Sequence, residues 1–395
     1  MPRAEAAPEK QSAAADLQSI IMKNVMFMAS EVQVNPGRAA TCGAQLHKAA
    51  LSMFLALLAA AAGALTGCGP NRAGGSNSGG PVTVHLAFFP NVTHAVALVG
   101  TGNSAFARAL GPGAKIEEQV FTAGPTEIEA LFGNQVDIGY IGPGPAVNGF
   151  LKSHGKMLTV IAGASSGGTA LVVRNDSGIS DVKGLAGKRV AVPQTGGTQD
   201  ISLRHALQAA GLKSTDQGGN VAVVPNAPAD TLTLFVKKEL DAAWITEPWV
   251  SRLVKEGGGK ALQDERDLWP GRKFATTVVI VRNQFLKEHP DLVTRFLQAH
   301  VETVDWINGH KAEASAIVAA RLKSLTGKSL PEDILKASIE RTDFTYDPLQ
   351  ESVLTFADWS KGLGYLRQDR SSLTGLIDLG PLNGVLAKSG KVAVR

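Results

Sequence analysis

Four turns, each closing a short apolar run, carry the residue types that could hold a ligand. They are Phe89-Pro-Asn-Val-Thr-His94, Ile141-Gly-Pro-Gly-Pro145, Gly163-Ala-Ser-Ser-Gly-Gly168 and Pro193-Gln-Thr-Gly-Gly-Thr198. Glycine lets main chain approach a bound group closely, and Ser, Thr and Asn side chains add hydrogen-bond donors. Where such a turn leads from a strand into a helix, free backbone N–H groups also point into the crevice beyond the strand ends. Those parts suit a small oxyanion. A fifth segment, Asp241-Ala-Ala-Trp-Ile-Thr-Glu-Pro-Trp249, places a carboxylate at a helix start. Glu247 there has two open roles: favourable charge at a helix N-terminus, or a carboxylate facing a cleft.

Other chemistries are excluded by spacing. Pro193–Thr198 lacks the Lys-Ser/Thr ending of a nucleotide P-loop and the spacing of a dinucleotide fingerprint. The seven histidines after Cys68 are scattered, with no pair at helical spacing joined by a carboxylate ligand set, so no metal site is expected. His300 lies on an apolar helical stripe and reads as a satisfied core residue; only His94 lies near the turns. No serine sits in a Gly-x-Ser-x-Gly elbow. No catalytic residue and no cofactor are expected.

The elements that must position these turns alternate. Strands are expected at 82–88, 115–121, 136–141, 157–162 and 170–173, with a helix at 126–132. The pattern repeats with strands at 188–192, 221–224 and 241–245 and helices at 199–212 and 230–240. Short strands separated by helices argue for βαβ units and a mostly parallel sheet, here occurring twice. Thr276–Val281 is a β-branched strand, and 290–359 reads as helical, with Val293, Phe296, Leu297, Val301 and Val304 forming a stripe. Two α/β lobes with a C-terminal helical run follow.

The N-terminal region speaks of location. Ala49–Ala64 is nearly all Ala and Leu after His47-Lys48, too short for a membrane span and suited to a secretory signal. Leu65-Thr-Gly-Cys68 resembles a bacterial lipobox, which makes Cys68 the lipidation site. Gly69–Gly80 has the composition of a flexible tether. Residues 1–46 contain four acids and read as an extension from a start placed too far upstream, with Met26 or Met28 as better starts, rather than as a functional cytoplasmic tail. Cutting at Cys68 leaves 328 residues, and Cys42 departs with the leader, so the exported part has no disulfide. Setting aside the four acids and five bases up to Cys68 leaves 34 Lys+Arg against 31 Asp+Glu. That balance argues against nucleic acid as a partner.

Three ordered motifs carry a resemblance. Glu129-Ala-Leu-Phe-Gly-Asn-Gln-Val-Asp-Ile-Gly-Tyr-Ile-Gly-Pro-Gly-Pro145, Asp181-Val-Lys-Gly-Leu-Ala-Gly-Lys-Arg-Val-Ala-Val-Pro193 and Lys238-Glu-Leu-Asp-Ala-Ala-Trp-Ile-Thr-Glu-Pro248 are similar to the solute-binding proteins of ABC importers, in the aliphatic sulfonate, taurine and nitrate group. The resemblance covers about residues 82–310. It implies an α/β, two-lobed periplasmic-binding-protein-like fold of type II, with two crossing strands as hinge and C-terminal helices. The crossings would be Ala170–Arg174 and Thr276–Arg282. Lobe one would be 81–175 with 276–395, and lobe two 176–275, after an extension (1–46), signal peptide (47–67) and lipid-anchored tether (68–80).

Carried over by position, the ligand residues would be Asn91, Thr93, Gly142, Pro143, Ser166 and Gly167 from lobe one. Thr195, Gly197, Thr198, Asn226 and Glu247 would come from lobe two. These turns contain no Arg or Lys, so backbone amides and helix ends would compensate charge, which matches a monoanion such as a sulfonate better than a dianionic phosphate. The implied function is an exported, lipid-anchored, monomeric carrier. It would deliver an aliphatic sulfonate or taurine to a permease and its ATPase subunit. Nitrate, bicarbonate and a thiamine pyrimidine precursor are the alternatives. Two intracellular enzymes of similar fold, a thiamine pyrimidine synthase and a menaquinone-pathway dehydratase, fit less well, because both work in the cytoplasm. The synthase's cysteine-rich stretch also has no counterpart here.

Overall fold

The computed structural model describes residues 80–395. The extension, signal segment, Cys68 and nearly all of the tether lie outside the described residues. No helix among the described residues is long and apolar enough to cross a membrane.

The first sheet starts with β1 (Val82–Phe88), whose β-branched and aromatic residues make a strand that is buried toward its end. α1 (Ala95–Gly102) and α2 (Ala105–Leu110) lead to β2 (Ala114–Val120), and α3 (Gly124–Phe132) leads to β3 (Ile138–Ile141). α4 (Pro143–Lys152) then precedes β4 (Leu158–Gly167), every residue of which is buried. The chain changes sheets at Gly167-Gly168, both with positive φ (72° and 67°), a conformation that glycine adopts without strain.

The second sheet opens with β5 (Thr169–Arg174) and β6 (Arg189–Val192). It continues through α5 (Thr198–Ala209), β7 (Ala222–Pro225), α6 (Pro228–Val236), β8 (Ala242–Thr246), α7 (Trp249–Lys255) and β9 (Gly259–Asp264). Two short 3₁₀ turns between 265 and 272 return the chain to β10 (Ala275–Arg282) in the first sheet. The helices α8 (Asn283–Glu288), α9 (Pro290–Gly309), α10 (Lys311–Thr326) and α11 (Glu332–Glu340) follow. Then come β11 (Thr342–Phe344), α12 (Gln350–Gly362) and α13 (Gly380–Lys388).

The sheet orders are β11-β4-β10-β3-β1-β2 and β7-β6-β8-β5-β9. In each, the opening βαβ strands pair in parallel, whereas the strands at the change-over pair antiparallel. Two of the five pairings in the first sheet and two of the four in the second are parallel, so the sheets are mixed rather than mostly parallel as expected from the sequence. A strand that arrives from the other sheet enters from the opposite end, and so runs against its neighbours. Nor do the segments expected as crossings span the lobes. β5 lies wholly in the second sheet and β10 wholly in the first, so the links are the Gly167-Gly168 junction and residues 265–274. The helical run expected over 290–359 is interrupted by β11, which extends the first sheet along β4.

Each sheet is covered on both faces. Phe88, Phe106, Phe296 and Val304 pack on one side of the first, and Ile128, Val147, Phe150 and Val353 on the other. The second sheet carries Leu203, Leu207 and Trp244 on one face and Phe235, Val250 and Leu253 on the other. Burial on both faces accounts for the nearly continuous apolar strands. His300 is buried in the first core, its Nδ1 2.8 Å from the Tyr140 hydroxyl and its Nε2 2.8 Å from the Gly163 carbonyl oxygen.

Candidate functional site

The strand-end turns of both sheets face each other around one small cavity of about 30 Å³. Its wall includes the N-terminal residues of four helices: Gly124 of α3, Gly142 ahead of α4, Gly197 and Thr198 of α5, and Pro228 of α6. None of these helices has a side-chain cap, so their first amides look to the cavity side for partners. Proline occupies the first position of α4 and α6, which pre-sets the helix and removes one donor. α5 starts without proline; the Gly197 N–H donates to the Gln194 carbonyl (3.1 Å), which leaves the N–H groups of Thr198 and Gln199 for the cavity. No Lys, Arg, Asp or Glu lines the cavity. Positive potential there comes from helix ends, each equivalent to roughly half an elementary charge.

The lobes touch across this cavity. Gly144 N donates to Thr198 Oγ1 (3.3 Å), and Asn148 Nδ2 to the Gly196 carbonyl (3.4 Å). Asn91 Nδ2 donates to Thr246 Oγ1 (3.4 Å), while its Oδ1 accepts from Trp249 Nε1 (3.3 Å). Glycine is required at the α4 start by this approach. A Cβ at Gly142 would fall 2.2 Å from Thr198 Oγ1, and one at Gly144 2.7 Å from Ile201 Cδ1. Since Thr198 Oγ1 accepts from Gly144, its own proton remains to donate to a ligand.

His94 supplies a second neutral donor. Its ring stacks on Phe89 at 4.4 Å, and its Nδ1 accepts the Phe89 N–H at 3.2 Å. The proton of the neutral imidazole therefore sits on Nε2. Burial drives the pKa down to about 3, so the ring stays uncharged at neutral pH. Phe89, Pro145, Pro193 and Pro228 give the cavity an apolar side.

Of the residues expected from the sequence, the structure brings Asn91, Thr93, Gly142, Gly197 and Thr198 to the wall. The others are not on it. Pro143 is buried in the first turn of α4. Ser166 Oγ instead accepts from Phe274 N (3.4 Å), and the Gly167 carbonyl accepts from Thr276 Oγ1 (2.6 Å). Thr195 is exposed at the tip of its turn, and Asn226 is half-buried, its N–H on the Val192 carbonyl. The Glu247 carboxylate turns into α7 and the C-terminal helices rather than into the cavity. His94, Thr122, Gln194, Thr246 and Thr276 also line the wall; none is among the ligand residues that the sequence predicts, although His94 lies near them. Among the described residues no cluster of three or more His, Cys, Asp or Glu is placed to hold a metal.

Two mixed sheets with this strand order, meeting at a cavity of strand-end turns, define the periplasmic-binding-protein fold. Solved structures share it. The alkanesulfonate-binding protein SsuA of Xanthomonas axonopodis pv. citri, bound to MOPS, matches 76% of this chain and 99% of its own at TM-score 0.63 and 19% identity. The periplasmic nitrate-binding protein NrtA of Synechocystis PCC 6803 matches 78% and 89% at TM-score 0.67 and 16% identity. Residues 78–323 match the NMT1-like family, and the chain belongs to that family. Among curated relatives, a binding protein of Brucella abortus (strain 2308) is 31% identical over 212 residues, 53% of this chain and 63% of its own. The taurine-binding periplasmic protein of Escherichia coli (strain K12) is 28% identical over 206 residues, 52% of this chain and 61% of its own. The chain thus spans a little under two thirds of the length of these two relatives.

Proposed function

We propose that the protein is the extracytoplasmic solute-binding component of an ABC importer, not an enzyme, and that it captures an aliphatic sulfonate between its lobes for delivery to a permease. The observation that carries this reading is a cavity walled by uncapped helix N-termini and neutral donors, with no charged side chain. A monoanionic sulfonate would take its hydrogen bonds from the α5 amides, Thr198 Oγ1 and His94 Nε2. Its alkyl chain would lie along Phe89 and the prolines. Nitrate and bicarbonate have no alkyl part to cover that apolar side, and the ammonium of taurine would meet no carboxylate.

A thermal-shift panel of ethanesulfonate, butanesulfonate, taurine, nitrate, bicarbonate and a thiamine pyrimidine precursor tests this, because a ligand that binds only folded protein raises its melting temperature. The alkanesulfonates should raise Tm most. Thr198→Ala should weaken their binding about 10- to 100-fold, each lost bond being worth on the order of 1–3 kcal/mol. Thr233→Ala, exposed on α6, should have no effect. A shift from nitrate alone, or equal affinity in Thr198→Ala, would refute the ligand assignment.

We further propose that Cys68 carries the lipid that tethers the protein outside the cytoplasmic membrane, on the strength of Leu65–Cys68 and the tether after it. In bacterial expression the wild type should fractionate with membranes. Cys68→Ser should be released or remain unprocessed, and equal membrane association of both would remove the anchor from this account.

A further inference from the structure

Glu247 is fully buried yet takes no part in the cavity wall. Its Oε2 accepts from Ser251 N and from Ser338 Oγ, both at 3.0 Å. Its Oε1 accepts from Ser251 Oγ at 2.9 Å and lies 3.5 Å from Arg341 Nε. Ser251 belongs to α7, carried by the second sheet. Ser338 is in α11 and Arg341 at its end, on the body of the first sheet. Lys255 and Asp333 add an exposed ion pair between the same two helices.

The main chain repeats the connection. The Glu247 carbonyl accepts from Val92 N at 3.1 Å, next to the cavity residues Asn91 and Thr93. Glu247 N donates to the Gly168 carbonyl, and Gly168 N donates to the Arg341 carbonyl, each at 2.8 Å. The first change-over point between the lobes therefore lies inside this contact.

We infer that Glu247, Ser338 and Arg341 form an interlobe latch whose bonds favour the lobes-together arrangement, so that these positioning residues set how tightly every solute is held. The inference rests on the proposed solute-binding function. A buried carboxylate keeps its place only when bonded, and Ser338 supplies its hydrogen bond from the other lobe. Ser338 also has a fallback, because the Ile334 carbonyl lies 2.7 Å from its hydroxyl within the same helix. The one hydroxyl proton is shared here between Glu247 Oε2 and that carbonyl; when the lobes part it goes wholly to Ile334, Glu247 keeps Ser251 and gains water, and no group is stranded. The latch is thus reversible.

A latch acts on closure and not on the ligand, so its loss multiplies every dissociation constant by the same factor. Ser338→Ala and Arg341→Gln are compared with the wild type for ethanesulfonate, butanesulfonate and MOPS by stopped-flow and calorimetry. Ser338→Ala should raise Kd about tenfold for all probes, through faster release and with their rank order kept. Arg341→Gln, part-exposed, should raise it two- to threefold, roughly. Unchanged Kd in both variants overturns the latch, and so does a reordering of the probes, which would place Ser338 in ligand recognition. If no probe binds the wild type, the proposed function fails instead. The latch is then read from small-angle scattering without ligand, where Ser338→Ala must be more expanded than wild type for the inference to stand.

Discussion

Gly144→Val is expected to abolish solute capture while leaving both lobes folded. A Cβ at this position would lie 2.7 Å from Ile201 Cδ1, 3.2 Å from Thr198 Cα and 3.4 Å from Thr198 N. Two of those contacts are main-chain atoms of the facing helix, which cannot rotate away. The γ-methyls of valine reach further still, so α4 and α5 cannot come together. Within α4 the change is mild, because glycine is a poorer helix former than valine. The overpacking penalty, about 1–3 kcal/mol or more, therefore falls on the lobes-together state alone. By the arithmetic of a two-state equilibrium, affinity for alkanesulfonates should drop on the order of 100-fold. Ligand-free Tm should stay within a few degrees of wild type, with no rise on adding ethanesulfonate. Scattering should show an expanded particle that does not contract. Binding at wild-type strength would mean that the Gly144–Thr198 contact is not needed for capture.

The sequence marks this approach only partly. Ile141-Gly-Pro-Gly-Pro145 announces a turn in which main chain comes close to something, yet nothing local says that the something is Thr198, 54 residues further on. Strand positions were readable wherever both faces of a strand are buried. Val82–Phe88 is apolar and β-branched enough to be delimited to the residue. The pairing direction was not, because it depends on where the chain leaves and re-enters a sheet, and Gly167-Gly168 reads simply as a turn. β11 was lost in a helical background, since three residues, Thr342–Phe344, gain their strand character only by pairing with β4.

The same physics divides the candidate site. Asn91, Thr93, Gly142, Gly197 and Thr198 occupy turns whose composition advertises them. Thr246 and Thr276 belong to strands, where threonine is an ordinary β-former, and only the facing lobe reveals that they border a cavity. Thr195 and Thr198 share one turn, but the first is exposed and the second 3% exposed, because α5 begins at Thr198 and fixes which way each points. For Glu247, helix-start charge and cleft carboxylate were equally open. The acceptors went to the α7 amide and hydroxyl that lie four residues ahead, a choice set by tertiary packing with α11.

His94 should give the protein a measurable acid sensitivity. Its pKa is about 3 in the folded chain, through burial, against an ordinary value of 6.5. Between those two values the unfolded chain binds a proton that the folded one refuses, so stability rises with pH across the window and is lost as pH falls below 6.5. At pH 4.5 the loss from this one ring amounts to about 2–3 kcal/mol. Other buried groups titrate nearby: His300 is lowered to about 4, whereas Glu265 is raised to about 7, each by burial. The contribution is therefore isolated by comparing wild type with His94→Gln, in which everything else cancels. The variant should be less stable at pH 7.5, having lost the stack on Phe89, but should lose less stability between pH 6.5 and 4.5, by roughly one proton's worth. Parallel denaturation profiles would show that His94 titrates normally and is not held as a neutral donor. In that case, affinity for ethanesulfonate should also rise as pH falls through 6.5, because a protonated ring would attract the anion. With the neutral Nε2–H donor described above, affinity stays level from pH 8 to pH 5.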